Sequence, residues 1–290
     1  MKNKDKLHRF VFENFPVRGE IVQLDATWRT ILATHPYPPV VRELLGEAIA
    51  AVTLLAATIK FEGSISLQLQ GEGPVTMLVA QCNSEKGVRG TISWQGDVVS
   101  GPLYELCKNG YLVITIDPAM GKEKYQGIVA LGEGNLAQAI AGYFDQSEQL
   151  STQLWLFADD QQAAGMLLQR MPDEEQEADD WNRVKLLANT LKDEELLRLD
   201  VEDILHRLFH EDSIRLFDAE PVAFRCSCSR NKIKWILKSM GYEELQSIIA
   251  EQKLVAVDCE FCKRTYQFDS VDIEQLFAAK HNPSVTKTQH

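Results

Sequence analysis

The chain has 290 residues, of which 45% are hydrophobic and 25% charged, so its composition is that of a folded protein with a core. Its formal net charge of -12 argues against a protein whose main task is to coat phosphate backbones. The longest conspicuous apolar run covers 12 residues, 48–59. Because roughly 18 residues are needed to cross a bilayer, this run predicts a buried helix and no membrane partner. No secretion signal precedes it, and we therefore expect a cytoplasmic protein.

The charge is distributed unevenly along the chain. Residues 171–220 contain sixteen acids and six bases, whereas residues 221–290 contain ten bases and eight acids. These zones predict an N-terminal core domain over residues 1–170, an acidic helical linker over 171–220 and a small C-terminal domain over 221–290.

The first zone contains short runs of apolar and β-branched residues that are bounded by Gly and Pro, which is the pattern of strands. A helix is predicted from Pro39 to about Lys60 and a second one after Gly134. This order is not a regular alternation of strands and helices, so it favours an α+β fold with a mainly antiparallel sheet. The predicted strands are Ser64–Gln70, Val75–Cys82, Val88–Trp94, Tyr111–Asp117, Tyr125–Leu131 and Thr152–Ala158.

Two glycine-rich segments, residues 71–74 and 132–134, have a superficial likeness to phosphate-binding loops. They lack the Lys-Ser/Thr ending of one such motif and the full spacing of the dinucleotide-binding motif. We therefore interpret both as turns.

The acidic zone contains three short amphipathic segments, which predict helices over Trp181–Leu191, Glu194–Leu199 and Val201–Phe209. Isolated helices of fewer than about 12 to 15 residues are marginal in water, so these must be ordered mainly by docking on another surface. Composition alone favours a solvated helical linker. The alternative is a metastable segment that can detach and expose its Leu, Ile and Trp side chains.

Four of the six cysteines form two close pairs, Cys226-Ser227-Cys228 and Cys259-Glu260-Phe261-Cys262. Two such pairs separated by about thirty residues are typical of a tetrahedral thiolate site, because each pair supplies two ligands from one turn. Zinc is the expected ion and an iron-sulfur cluster is the weaker alternative. The other two cysteines, Cys82 and Cys107, are predicted to be buried and inert.

Three histidines, His206, His210 and His281, lie outside the pair spacings and are predicted to be surface or structural residues. In its simplest role the zinc is a staple, since about 65 residues form a poor core and a structural zinc contributes roughly 10 to 16 kcal/mol.

Basic residues surround the four cysteines, and they suggest more than a staple. Cationic neighbours favour the thiolate, which is the form that oxidants attack. Oxidation consumes the ligands and releases the metal, so the free energy that orders the domain is lost. The flanking bases are Arg225, Arg230, Lys232, Lys234, Lys263 and Arg264.

Two other functions use the same residues. The ten bases after residue 220 are compatible with a zinc-ribbon nucleic-acid binder, which remains the main alternative. A thiol-disulfide oxidoreductase that uses Cys259 and Cys262 is less favoured, because strand-like segments at 254–257 and 265–268 flank this pair as in a zinc-bearing hairpin. No other catalytic motif is present, and we expect no enzyme.

Together these residues resemble the redox-regulated bacterial chaperones of the heat-shock protein thirty-three family, over nearly the whole chain. Besides the two cysteine pairs, the segments that carry the resemblance are Phe12-Glu13-Asn14-Phe15, Val17-Arg18-Gly19-Glu20, Leu67-Gln68-Leu69-Gln70-Gly71, Gly110-Tyr111-Leu112-Val113-Ile114-Thr115-Ile116, Tyr125-Gln126-Gly127, Tyr143-Phe144 with Ser147-Glu148-Gln149, and Gly165-Met166-Leu167-Leu168-Gln169.

The resemblance implies a cytoplasmic holdase that is inactive when reduced and zinc-bound. It implies that oxidants convert the four zinc ligands into Cys226-Cys228 and Cys259-Cys262 disulfides, that the linker then unfolds, and that the oxidised form can be a homodimer. The implied partners are unfolding client proteins, with neither nucleic acid nor membrane among them.

Overall fold

The computed structural model describes residues 4–58, 62–118, 123–172 and 178–278. The strands are β1 Lys6–Phe12, β2 Val17–Leu24, β3 Gly63–Gln70, β4 Val75–Asn83, β5 Gly87–Trp94, β6 Tyr111–Pro118, β7 Tyr125–Ala130, β8 Thr152–Ala158, β9 Ala163–Arg170, β10 Ile214–Leu216, β11 Glu220–Pro221, β12 Ala223–Phe224, β13 Val255–Asp258 and β14 Thr265–Phe268. The helices are α1 Ala26–Leu32, α2 Pro39–Thr58, α3 Leu103–Cys107, α4 Leu136–Tyr143, α5 Ala178–Ala188, α6 Asp193–Arg198, α7 Val201–Phe209, α8 Arg230–Met240, α9 Tyr242–Gln252 and α10 Ser270–Ala278, with a π-helical turn, Phe144–Glu148, after α4.

These elements form two compact units, Met1–Arg225 and Cys226–His290. The first unit contains two six-stranded sheets, with strand orders β10-β1-β2-β9-β8, where β11 also pairs with β1, and β12-β5-β4-β3-β6-β7. All pairings within them are antiparallel except that of β12 with β5. The α+β fold with mainly antiparallel sheets is therefore confirmed, with the difference that there are two large sheets and not one.

Helix α2 is the centre of the first unit. It is 20 residues long, begins at the predicted Pro39, and contacts strands of both sheets. Its side chains from Ala48 to Leu55 are all buried, as the apolar run in the sequence predicts. The last predicted residues of this helix, 59 and 60, lie outside the described residues. No helix in the described parts of the chain is both long and apolar enough to span a membrane.

All six predicted strands are present as β3 to β8, with ends that differ by no more than one residue. The three longer strands that the sequence analysis did not identify, β1, β2 and β9, all belong to the first sheet. Strand β9 is buried on both faces, so its sequence lacks the polar alternation of a half-exposed strand. It is also rich in Ala, Leu and Met, which favour helices.

The first sheet has both faces covered. One face belongs to the core around α2, which includes Val22 and Leu167. The other packs against the acidic segment, with Phe10, Ile21 and Met166 among its buried side chains. The first sheet therefore separates two apolar clusters, and only the second depends on the acidic segment.

The acidic segment forms the three predicted helices, α5, α6 and α7. Helix α5 begins and ends three residues before the predicted bounds, α6 is shifted by one residue, and α7 has the predicted bounds. The acids at residues 173–177 lie outside the described residues. The buried side chains of the segment are Trp181, Val184, Ala188, Leu191, Leu196, Leu197, Val201, Ile204, Leu205, Leu208 and Phe209.

The interpretation of residues 71–74 as a turn is confirmed. A Cβ atom placed on Gly71 would lie 1.7 Å from the carbonyl oxygen of Cys107. Glycine is required here because the backbone of the turn packs directly against another backbone segment. The backbone N–H groups of residues 71–73 donate to other backbone carbonyls, so they are not free to bind a phosphate group.

The second unit has three helices and a hairpin. Strands β13 and β14 pair antiparallel, with Asp258 opposite Thr265 at the hairpin end. Helices α8, α9 and α10 pack around a small core that includes Ile233, Leu245 and Phe268. This core is much smaller than those of the first unit, so a further source of stability is expected here.

Candidate metal centre

Two different local structures present the four paired cysteines. Cys226 and Cys228 lie in the segment just before α8, which is capped by the Ser229 hydroxyl accepting a hydrogen bond from the backbone N–H of Lys232. Cys259 and Cys262 lie in the turn of the β13–β14 hairpin. Each pair is therefore held by chain that folds locally around it.

Backbone hydrogen bonds close the hairpin turn. The N–H of Cys259 donates to the carbonyl of Arg264 at 3.0 Å, and the N–H of Lys263 donates to the carbonyl of Cys259 at 2.7 Å. Lys263 has a φ of 53°, in the left-handed region that reverses the chain tightly. The turn thus directs both sulfurs of the second pair to one side.

The four sulfur atoms form one cluster, in which all lie within 4.8 Å of one another. The Sγ atoms of Cys226 and Cys259 are 3.6 Å apart, and those of Cys228 and Cys262 are 3.5 Å apart. Four thiolates bound at about 2.3 Å to one tetrahedral ion lie about 3.8 Å from each other. The four cysteines therefore have a metal-binding arrangement, and the donor set fits a thiophilic ion.

Tyr266, which the sequence analysis did not identify, belongs to this centre. Its hydroxyl donates a hydrogen bond to Cys228 Sγ at 3.1 Å, and its side chain is largely buried. The hydrogen bond to the sulfur raises the pKa of Tyr266 itself. The indication of this contact in the sequence is the position of Tyr266 in the strand that follows the second cysteine pair. That strand, β14, places the Tyr266 side chain beside the sulfurs.

The four thiols differ in acidity. Burial acts to raise the pKa of Cys228, but hydrogen bonds from Tyr266 and the neighbouring thiols prevail and lower it to about 7. Burial and hydrogen bonds to the other thiols raise the pKa of Cys262 to about 12. Burial is also the main cause of the raised pKa of Cys226. Of Cys226, Cys228 and Cys262, Cys228 is therefore the one most readily ionised near neutral pH.

Of the basic residues near the cysteines, Arg264 acts on the sulfurs most directly. It hydrogen-bonds Tyr266, and this contact, with the negative charge of Cys228 and Cys262, raises the pKa of the guanidinium. Lys232 donates from Nζ to the Ser227 hydroxyl at 3.1 Å. Of the flanking bases predicted to favour the thiolates, Arg264 is therefore the one with a direct electrostatic interaction with Cys228 and Cys262.

Three further flanking bases, Arg225, Arg230 and Lys263, pair with carboxylates. Arg230 binds Asp272 at 2.7 Å, and Lys263 binds Glu260 at 2.9 Å. Arg225, in the first unit, pairs with Glu85 at 3.2 Å. These ion pairs partly neutralise the positive charges, so the electrostatic effect of these bases on the sulfurs is weakened.

Among the described residues, no cysteine or histidine outside the two pairs belongs to the sulfur cluster. Cys82 and Cys107 are fully buried, and burial raises the pKa of their thiols to about 12 and about 11, which agrees with the predicted inert role. His206 and His210 are exposed on α7, and His281 lies outside the described residues.

Comparison with known proteins identifies relatives over nearly the whole length of the chain. A family model described as Hsp33 protein matches residues 5–269. A 33 kDa chaperonin of Nitrosococcus oceani is 52% identical over 290 residues and covers 100% of both chains. One of Shewanella frigidimarina is 46% identical over 281 residues, which are 97% of this chain and 98% of that protein.

A solved structure shows the same fold. The crystal structure of the 33 kDa chaperonin of Thermotoga maritima matches with a TM-score of 0.79, over 95% of this chain and 99% of that chain, at 23% identity. The resemblance found in the sequence motifs is thereby confirmed. From the family match over most of its length and from these relatives, we conclude that the chain belongs to the Hsp33 family.

Proposed function

We propose that this protein is a cytoplasmic, redox-regulated holdase that binds unfolding proteins after oxidants remove zinc from Cys226, Cys228, Cys259 and Cys262. One observation carries the proposal: four thiols lie within 4.8 Å of one another in a chain of a family whose named members are chaperonins. Zinc is the proposed ion because it accepts four thiolates in a tetrahedral site without redox chemistry of its own.

The thiolate form of Cys228 is the proposed first target of the oxidant. Its lowered pKa of about 7 keeps a large fraction ionised near neutral pH whenever it is not bound to metal. Once one ligand is oxidised, a three-sulfur site binds the ion less tightly, and the remaining thiols become available to react.

Disulfides within each pair, Cys226-Cys228 and Cys259-Cys262, remain our proposal for the oxidised form. The sulfur distances of 3.6 Å between Cys226 and Cys259 and 3.5 Å between Cys228 and Cys262 join different pairs. That contact depends on the folded cluster, however, and a disulfide requires a distance near 2.05 Å. After the metal leaves, short loops close at a lower entropic cost than loops of more than thirty residues, which favours pairing within each motif.

The acidic segment over residues 171–220 is the proposed moving part, between a core domain over 1–170 and a switch domain over 221–290. Its helices have 11, 6 and 9 residues, so their order depends on docking. Release would expose apolar side chains on the segment and on the face of the first sheet that it covers. Contiguous apolar surface of this kind binds unfolded chains, and a net charge of -12 helps to keep the loaded protein soluble.

The test is to oxidise the zinc-loaded protein with hypochlorite, or with peroxide and mild heat, while zinc release and aggregation of an unfolding client are followed together. We expect zinc to leave and client aggregation to be suppressed over the same range of oxidant. If zinc leaves and no protection appears at any dose, the holdase proposal is wrong.

The ligand assignment has its own test in Cys259→Ser. We expect this variant to lose tight zinc binding and to loosen the second unit, with Cys107→Ser as a control whose zinc content is unchanged. Stoichiometric zinc at full affinity in Cys259→Ser, measured by chelator competition, would contradict the four-ligand site.

A nucleic-acid partner remains the second candidate because of the surface of α8. This helix carries Lys232, Lys234 and Lys238 without an acid, and its Trp235 is 79% exposed. An exposed aromatic ring beside lysines is a known platform for single-stranded bases. Salt-dependent binding of single-stranded RNA that is lost in Trp235→Ala would support this candidate, and its absence at low salt would eliminate it.

A further inference from the structure

Two imidazoles lie on the solvent-exposed side at the end of α7, one within the helix and one at its C-cap. His206 and His210 are four residues apart, so they follow each other by little more than one helical turn. Both are exposed, whereas the opposite side of the helix, including Ile204 and Leu208, is buried. His210 keeps helical backbone angles, with a φ of -61° and a ψ of -17°.

The two rings are close and are not engaged elsewhere. Their centroids are 6.0 Å apart with an interplanar angle of 36°. Neither ring has a hydrogen bond or ion pair with the described parts of the chain. Two histidines at this spacing on one helical face are the arrangement by which a helix chelates Zn²⁺, and imidazole is a preferred ligand of borderline divalent metals.

The charges around the pair favour a cation. Glu202 lies one turn before His206 on the same face, and Asp203 and Glu211 are exposed nearby. Arg207, the adjacent base, is held away by an ion pair with Glu195 at 2.5 Å and a hydrogen bond to the Thr190 carbonyl at 3.1 Å. The whole region from 171 to 220 has sixteen acids against six bases.

We propose that His206 and His210 form a second metal site, which binds Zn²⁺ or a similar divalent transition-metal ion, with water completing the coordination. The site is separate from the four-cysteine centre and lies on the acidic segment. Two neutral ligands bind far more weakly than four thiolates, so this site fills only after the cysteine centre is occupied.

Binding at this site stabilises α7. The chelate requires both histidines on one helical turn, so the ion binds the folded helix and not the open segment. An ion present at ten times its dissociation constant shifts the equilibrium between closed and open α7 by about tenfold toward the closed form. The second site therefore opposes release of the acidic segment.

The experiment uses the full-length reduced protein with one equivalent of zinc already bound. Further Zn²⁺ is titrated by calorimetry, and amide exchange of residues 201–210 is measured at each step. We expect one additional, weaker equivalent and about tenfold slower exchange in α7 when zinc is at ten times the measured dissociation constant. Absence of the second equivalent, or binding without slower exchange in α7, would overturn the proposal.

Four variants separate chelation from general attraction to acidic surface. His206→Gln and His210→Gln, both exposed substitutions, should each weaken the second equivalent at least tenfold, while Glu194→Gln on α6 should leave it nearly unchanged. A double variant, His210→Gln with Glu211→His, keeps the number of histidines but changes the spacing to five residues and should bind as poorly as His210→Gln. Wild-type affinity in any of the three histidine variants would place the ion elsewhere and refute the site.

The second metal site has a consequence for regulation that rests on the proposed function. Because zinc at this site opposes release of the acidic segment, excess zinc should raise the oxidant dose needed for client protection. The titration itself is made on reduced protein. Its failure would leave the redox proposal intact, and failure of the redox proposal would leave the titration result intact.

Discussion

Tyr266 is the side chain outside the four cysteines with the most direct effect on the sulfur cluster. The variant Tyr266→Phe removes its 3.1 Å hydrogen bond to Cys228 Sγ and keeps the ring that packs in the small core. Loss of such a partner of a metal ligand typically lowers metal affinity by 10- to 100-fold. We therefore expect zinc affinity to fall at least tenfold in chelator competition at neutral pH.

The same variant should change how zinc affinity depends on pH. Zinc binds thiolates, so a protonated cysteine must release its proton before it can bind the ion. In the wild type this applies to Cys228 only below its pKa of about 7. Zinc affinity should therefore fall more steeply with decreasing pH below that value. In Tyr266→Phe this steeper range should begin at a higher pH, because one of the hydrogen bonds that lower the pKa of Cys228 is lost. Tyr242→Phe, which changes a half-exposed ring of the same unit, is the control. If zinc affinity depends on pH in the same way in the wild type, Tyr266→Phe and Tyr242→Phe, the Tyr266 hydroxyl has no role in metal binding.

Glu20 in β2 is a buried carboxyl group, and we expect it to make stability depend on pH. It is 2% exposed, and its Oε2 atom has no hydrogen-bond partner in the described residues. Burial raises its pKa from 4.5 to about 7, although Arg18 and Arg9 oppose this shift. The folded state thus holds the proton more tightly than the unfolded state, so stability falls as pH rises from about 4.5 to about 7.

Replacing this carboxyl group by an amide should therefore stabilise the protein at high pH. The rise in the pKa of Glu20 from 4.5 to about 7 corresponds to on the order of 3 kcal/mol. We expect Glu20→Gln to raise the free energy of unfolding in urea at pH 8, with a much smaller effect at pH 4. An equal effect at both pH values would contradict the raised pKa.

At the scale of elements, the docking of α7 should set the threshold for release of the acidic segment. Ile204 is fully buried against the first sheet, whereas Leu186 on α5 is 69% exposed. Ile204→Ala should lower the free energy of opening by about 2 to 5 kcal/mol, because it leaves a cavity. Leu186→Ala should change it by less than about 0.5 kcal/mol.

Amide exchange of residues 178–209 measures this difference directly. Client protection should then appear at a lower oxidant dose in Ile204→Ala and at the wild-type dose in Leu186→Ala. If amide exchange is faster in Ile204→Ala but the oxidant dose for client protection is unchanged, release of the acidic segment does not control chaperone activity.

The elements that the sequence predicts are those whose signal is local. Strands β3 to β7 each have a Gly or Pro within two residues of an end, β3 to β8 have recognisable strand composition, and α7 has a strong apolar stripe. Strand β9 was not predicted because its burial on both faces comes from α2 on one side and the acidic segment on the other. Such burial is a tertiary property that no short window of sequence contains.

The same distinction holds within the metal centre. The spacing of the cysteines is local, and it predicts all four members of the cluster. The role of Tyr266 depends on the register of β14, and the neutralisation of Arg230 depends on Asp272 in α10. These partners come from separate elements, so the sequence did not reveal which of the six neighbouring bases would act on the sulfurs.

At the scale of the whole molecule, the proposed function requires that loss of one ion in the second unit be followed by opening of helices that belong to the first unit. The energetic condition is that the docked segment be only slightly more stable than the released one. Its short helices and its sixteen acids are consistent with that condition.

Amide exchange of the full chain, compared between the zinc-loaded reduced form and the oxidised form, tests this coupling most directly. We predict that oxidation speeds exchange across residues 226–278 and also across 178–209, while β3, β4 and β6 of the second sheet stay protected. If oxidation removes the zinc and residues 178–209 keep their full protection, the acidic segment is not released and the account is contradicted.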